Sequence, residues 1–248
     1  MKNKIKLNDP KHIFIIAEAG SNWKAGSYKK DIERAEKLIK VAAKSGADAI
    51  KFQTYNPKSV YVPNAGKSKY LLKSGMDKSI FEIFQKYSMP HKMLKDLSII
   101  CKKEKILFMS TPFSVEDAKV VNKFVKIHKI AAFEINHIRL LEYLASTKKP
   151  IIISTGASDS SEIDYAVKLL KKKGAKKICL LQTTSKYPAP IETLNLKVIA
   201  ELKKKYNVPV GLSDHSIEPI LGPTLAIGLG ATIIEKHFTL NKKFRGPD

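Results

Sequence analysis

Residues 210–216 read V-G-L-S-D-H-S, and residues 231–240 read A-T-I-I-E-K-H-F-T-L. Each stretch opens as a short apolar run and finishes in a histidine, His215 or His237. The Gly- and Ala-rich segment between them has the length of one strand-to-strand crossover, which parallel pairing requires. Such a crossover brings the ends of consecutive strands together. Two imidazoles from neighbouring strand ends are therefore candidate ligands for one divalent metal, with other coordination positions left open. A strand-end histidine taken alone is more often a hydrogen-bonded structural residue, so the pair has to be weighed against the rest of the chain.

The same alternation runs back to the N-terminus. Apolar runs that read as buried strands lie at 13–17, 47–52, 106–109, 125–132, 150–153, 178–181, 208–212 and 231–234. Helical periodicity fills the intervals at 30–44, 90–103, 115–124, 138–146, 160–173, 194–205 and 218–229. Residues 54–87 hold Pro57, Pro63, Gly66 and Gly75 and read as a long excursion on the substrate side. No β-hairpin signal separates the strands. Alternation over about eight strands predicts an α/β chain with a (β/α)₈ TIM barrel. A doubly wound open sheet is the alternative, weakened because no Gly-rich dinucleotide turn follows the first strand.

Polar residues fall at one end of the strands: Glu18, Lys51 and Gln53, Thr111, Lys129 and Glu134, Ser154, Ser185, Ser213 and His215, and His237. Barrel active sites are assembled from strand C-termini, so this regularity says more than any single residue. Lys51 and Lys129 sit within or beside apolar sequence, where an ammonium is costly unless it meets an anion. With the hydroxyls of Thr111, Ser154, Ser185 and Ser213 they suggest a phosphate or carboxylate cradle. A Schiff-base lysine and a snorkelling surface lysine are the alternatives. Glu18 and Glu134 are candidates for acid/base work or for pairing with the lysines. A cradle, a two-histidine metal and a carboxylate together suit carbon–carbon bond formation between an enol phosphate and an aldehyde.

Composition sets the outer bounds. The 248 residues suffice for one large domain, taken as 1–248. Lys+Arg 45 against Asp+Glu 23 gives a net charge of +22, which would draw in an anionic partner. The lysines are spread over every helical segment, as at Lys168, Lys171, Lys172 and Lys173, which is the pattern of a solvated surface. Nucleic acid is therefore a minor alternative. Cys101 and Cys179 have no metal spacing and imply no disulfide framework, as suits a cytoplasmic protein. No apolar run is long enough for a signal core or a membrane span.

An ordered set of motifs carries a resemblance. It runs A-E-A-G-S-N at 17–22, K-F-Q at 51–53, S-T-P-F-S at 110–114, K-I-A-A-F-E at 129–134 and I-S-T-G at 153–156. It continues with Y-P-A-P at 187–190, G-L-S-D-H-S at 211–216, E-K-H-F-T-L at 235–240 and G-P-D at 246–248. This closely resembles the sialic acid synthase family of N-acetylneuraminate, legionaminate and pseudaminate synthases and their spore-coat polysaccharide relatives. The resemblance implies a cytoplasmic transferase of surface polysaccharide biosynthesis. It would condense phosphoenolpyruvate with an N-acetylated hexosamine-type aldehyde, releasing phosphate and a nine-carbon α-keto acid. It further implies Mn²⁺ or Mg²⁺ on His215 and His237. Phosphoenolpyruvate contacts carry over to Lys51, Thr111, Lys129, Ser154 and Ser213, and sugar-side contacts to Gln53, Tyr187 and Asp248. Glu134 is implied as the proton-handling carboxylate, and Glu18, Asn22 and Ser185 join the substrate-binding set.

The chain departs from the family pattern in places. Trp23 stands where many members have His, Ala132 where a phosphate-holding Ser is common, and Ser185 where neuraminate-forming members have Asn. Ser185 together with F-E-I at 133–135 leans towards the pseudaminate or spore-coat branches. Asp248 falls just into the loop after the eighth strand. A C-terminal truncation is therefore expected, without the eighth helix and without the antifreeze-like domain, which in relatives lends an arginine to the partner subunit of a homodimer. The alternative to an active synthase is an impaired remnant that binds ligand or a partner without turnover.

Overall fold

The structure is a computed structural model describing residues 5, 7–9, 11–73, 75–244 and 246–247, with Lys73 described by its backbone alone. Its eight strands are β1 (Phe14–Gly20), β2 (Ala49–Thr54), β3 (Leu107–Pro112), β4 (His128–Ile130), β5 (Ile151–Ser154), β6 (Ile178–Thr183), β7 (Val210–Asp214) and β8 (Ile233–His237). Among the described residues a single α-helix stands between each strand and the next, except between β2 and β3, where there are four. The paired strands β2/β3, β5/β6, β6/β7 and β7/β8 are parallel. This is the α/β, (β/α)₈ TIM-barrel type expected from the alternation.

The chain divides into two compact units, one of Met1–Ile16 and Lys129–Lys236, the other of Ala17–His128 and His237–Asp248. In the first, β8, β7, β6, β5 and β4 follow one another in the sheet; in the second, β3, β2 and β1 do. Each unit buries its own apolar set. In the second, Trp23, Leu38, Ile39, Phe52, Met93, Leu94 and Leu97 pack into one cluster. In the first, β5 is buried at every position, β6 contributes Leu180 and Leu181, and β7 contributes Leu212.

The helices form where periodicity and caps agree. Ser160–Lys172 starts in a capping box, with the Asp159 carboxylate accepting from Ser161 N and Glu162 N while the Glu162 carboxylate accepts from Asp159 N. Its buried face is Ile163, Ala166, Val167 and Leu170, and Lys168, Lys171 and Lys172 are exposed. The lysine excess on this helix is thus a solvated face. Ser114 of the S-T-P-F-S motif caps Val115–Val121, accepting from Asp117 N at 3.1 Å.

Three differences from the expected elements matter for the site. Four strands begin two residues late or more and several run on past the apolar run, so that β7 includes Ser213 and Asp214, and β8 includes Glu235, Lys236 and His237. An apolar run marks only the part of a strand buried on both faces; polar residues that find partners continue the ladder. β4 is only three residues, because Ala132–Glu134 turns into a 3₁₀ helix. The 54–87 excursion holds the helices Pro57–Val60, Lys69–Lys73 and Ile80–Tyr87, the last of them capped by a Ser79–Glu82 box. Among the described residues, no helix follows β8, and no helix is long and apolar enough to cross a membrane.

Candidate active site

In the unit of Ala17–His128 and His237–Asp248, four of the expected residues meet. Lys51 and Gln53 are two apart on β2 and share a face, and the register sets Gln53 beside Thr111 of β3. Lys51 Nζ lies 2.6 Å from Glu18 Oε2 and donates to Thr111 Oγ1 at 3.1 Å. Gln53 Nε2 donates to Glu18 Oε1 at 3.2 Å. Glu18, Lys51 and Thr111 are all buried. Asn22, expected to bind substrate, donates from Nδ2 to Phe238 O at 2.9 Å, and Phe238 N donates to Glu18 O at 3.0 Å. These bonds fasten the residue after His237 to the end of β1. Trp23 fills the core of this unit. Asp248 lies outside the described residues.

The other unit brings together Lys129, Ser154 and Ser213. Lys129 Nζ donates to Ser154 Oγ at 2.7 Å and to Ile130 O at 2.8 Å. Ser213 Oγ donates to Glu235 Oε1 at 3.0 Å, and the same oxygen lies 3.8 Å from Lys129 Nζ. All four side chains are buried. Glu235 is a member of this group that sequence reasoning did not single out. Its signal was its place in E-K-H, one alternation before the histidine, but the apolar run had been ended at Ile234.

His215 follows β7 in the same unit. Its Nδ1 lies 2.8 Å from Thr184 O, a partner that can only accept, so this nitrogen carries the proton. Nε2 is then the basic nitrogen and accepts from Tyr187 Oη at 3.1 Å. The two rings stack at 4.1 Å with 21° between their planes. The turn beneath is braced by the buried Asp214, whose Oδ1 accepts from Ser216 N at 2.8 Å and whose Oδ2 accepts from Lys236 Nζ. A histidine whose Nδ1–H is held by a backbone carbonyl is oriented as metal-ligating imidazoles are. His215 thus fits a divalent metal through Nε2. Among the described residues no cluster of three or more His, Cys, Asp or Glu is preformed.

Two other site residues have environments of their own. Burial raises the Glu134 carboxyl to about 7, in the range where a carboxyl can both give and take a proton near neutrality. Ser185 Oγ lies only 2.5 Å from where a Cβ on Gly156 would stand, so the glycine of I-S-T-G lets the two loops touch. Gly211 has the same reason to be glycine: a Cβ there would come within 2.1 Å of Ile233 O. Burial pushes the Cys101 and Cys179 thiols up to about 12, which keeps both neutral.

Comparison with known proteins places these motifs. The chain is 40% identical over 245 residues to a pseudaminic acid synthase of Campylobacter jejuni, covering 98% of this chain and 69% of that protein. It is 42% identical over 242 residues to an N,N'-diacetyllegionaminic acid synthase of the same species, covering 96% of this chain and 71% of that protein. Among solved structures, an N-acetylneuraminic acid (sialic acid) synthetase from Leptospira borgpetersenii superposes with a TM-score of 0.82 at 36% identity, covering 96% of this chain and 77% of that one. The family model described as the NeuB family matches residues 38–248, and the chain belongs to that family.

Proposed function

We propose that this protein condenses phosphoenolpyruvate with an N-acetylated hexosamine-type aldehyde, forming a nine-carbon α-keto acid and releasing phosphate. The observation that carries the reading is the burial of two lysines, Lys51 and Lys129, each within hydrogen-bonding distance of a strand hydroxyl. Buried ammonium groups with hydroxyl neighbours are costly in a scaffold and useful to an anionic substrate. Lys51, Thr111, Lys129, Ser154 and Ser213 are assigned to the donor, and Gln53, Tyr187 and Ser185 to the acceptor. Glu134 is assigned to proton transfer. The methylene carbon of the enol attacks the aldehyde carbon, water adds at the resulting cationic centre, and phosphate leaves with carbon–oxygen cleavage. Mn²⁺ or Mg²⁺ bound by His215 and His237 would supply Lewis-acid polarisation of the acceptor carbonyl. The proposal takes 1–248 as one synthase domain.

The test is phosphate release from phosphoenolpyruvate with Mn²⁺ and a panel of N-acetylated hexosamines and their 2,4-diacetamido analogues, with products read by mass. A product heavier than the acceptor by the elements of pyruvate is expected with at least one sugar. Phosphoenolpyruvate binding with no product from any acceptor would replace the synthase reading with that of a ligand-binding remnant.

A further inference from the structure

Two carboxylates face the two buried lysines, and one of them, Glu235, has no part in the proposed chemistry. It is 5% exposed and engages two of the three donor-holding groups of its unit, accepting from Ser213 Oγ at 3.0 Å and lying 3.8 Å from Lys129 Nζ. The other unit builds the same grouping from different strands, with Glu18 Oε2 2.6 Å from Lys51 Nζ and Lys51 donating to Thr111. In both, the compensation that a buried ammonium requires is internal. A hydroxyl proton held by a carboxylate is not available to an incoming anion, and the carboxylate repels that anion from the position to which the lysine attracts it.

We propose that Glu235 is an internal competitor for the anion cradle. In the free protein its carboxylate occupies the Ser213 hydroxyl and neutralises Lys129, and a phosphorylated anion binds by taking over both. Glu235 is a positioning residue: it acts on the substrate through Lys129 and Ser213. Its charge keeps the affinity for any small phosphorylated anion low and holds the ammonium aimed while the site is empty. The inference rests on the reading of Lys129 as a phosphate-binding group.

The experiment is calorimetric titration of the full chain with inorganic phosphate and with phosphoenolpyruvate, comparing wild type, Glu235→Gln and Lys129→Met. Glu235→Gln keeps the side-chain shape and removes the charge. It should bind inorganic phosphate on the order of a hundredfold more tightly, as follows from removing one like charge about 6 Å away at an effective dielectric of about 20. A merely structural role gives the opposite sign, because a damaged cradle binds more weakly. Equal or weaker binding by Glu235→Gln, with Lys129→Met impaired, overturns the inference and leaves the cradle standing. Unchanged binding by Lys129→Met overturns the cradle and the inference with it. If Glu235→Gln does not fold, Glu235→Asp, which withdraws the carboxylate by one methylene, must tighten phosphate binding to a smaller degree; unchanged or weaker binding overturns the inference.

Discussion

Tyr187 stacks on His215 and donates its hydroxyl to Nε2, the nitrogen that Thr184 O leaves basic. The hydroxyl therefore sits on the lone pair through which His215 would ligate a metal. Tyr187→Phe keeps the stack and removes the hydrogen bond. Since such a bond contributes about 0.5–1.5 kcal/mol net, Mn²⁺ should bind the variant roughly 2- to 10-fold more tightly. Titration followed by the signal of free Mn²⁺ reads this without turnover. Weaker binding would place the hydroxyl on the side of the metal instead.

Glu134 gives a pH dependence with a defined sign. Burial raises its carboxyl from 4.5 to about 7, so the protonated form is favoured by the fold. The cost of ionising it in place is absent below about pH 4.5, grows between there and about 7, and is complete above that. Glu134→Gln should therefore lose this penalty and gain stability relative to wild type as pH rises through that window, in denaturation curves taken at several pH values. In turnover, kcat/KM should titrate near 7 in wild type, and Glu134→Gln should lose that limb with roughly 10²- to 10⁴-fold of rate. A limb that survives the substitution belongs to another group.

Lys51 and Glu18 form a buried ion pair at 2.6 Å. Lys51→Met removes the cation paired with this buried carboxylate and should destabilise the protein by about 3–5 kcal/mol, whereas Lys51→Met with Glu18→Gln should recover much of the loss. Urea denaturation of the four members of the cycle measures the coupling. Additive effects would mean that the pair is not coupled in solution.

Gly211 of β7 pairs with Ile233 of β8, and its φ is not in the left-handed region, so space alone excludes a side chain. Gly211→Ala should cost about 3 kcal/mol, since the obstacle, Ile233 O, is backbone and cannot rotate away. Gly228→Ala, where nothing lies within 4 Å of the added carbon, is the matched control in a helix and should be neutral or mildly stabilising by thermal denaturation.

The linear sequence carried the architecture. Period-2 and period-3.6 runs alternate because each strand and each helix must bury an apolar face, and that requirement is local enough to be read residue by residue. It also offered the candidate residues of the site, because in such a fold functional groups gather at strand C-termini, and a polar residue closing an apolar run is visible as an interruption. The lysine-rich helix faces were legible for the same reason: Lys168, Lys171 and Lys172 fall off the apolar stripe and are exposed.

Pairing was decided only in three dimensions. The sequence offered Glu18 and Glu134 as equivalent carboxylates. The fold sets Glu18 against Lys51, while burial alone raises Glu134. Glu235 lay just past the apparent end of a strand, and its importance comes from Ser213, 22 positions earlier. Asn22, read as a substrate-binding amide, donates to the backbone of Phe238, 216 positions later. Hydrogen-bond partners and desolvation depend on contacts between residues far apart in the chain, and no periodicity encodes them. V-G-L-S-D-H-S and E-K-H by themselves determined that two strands end in histidines. The tertiary structure decided which nitrogen His215 presents, because that follows from the carbonyl of Thr184 and the hydroxyl of Tyr187.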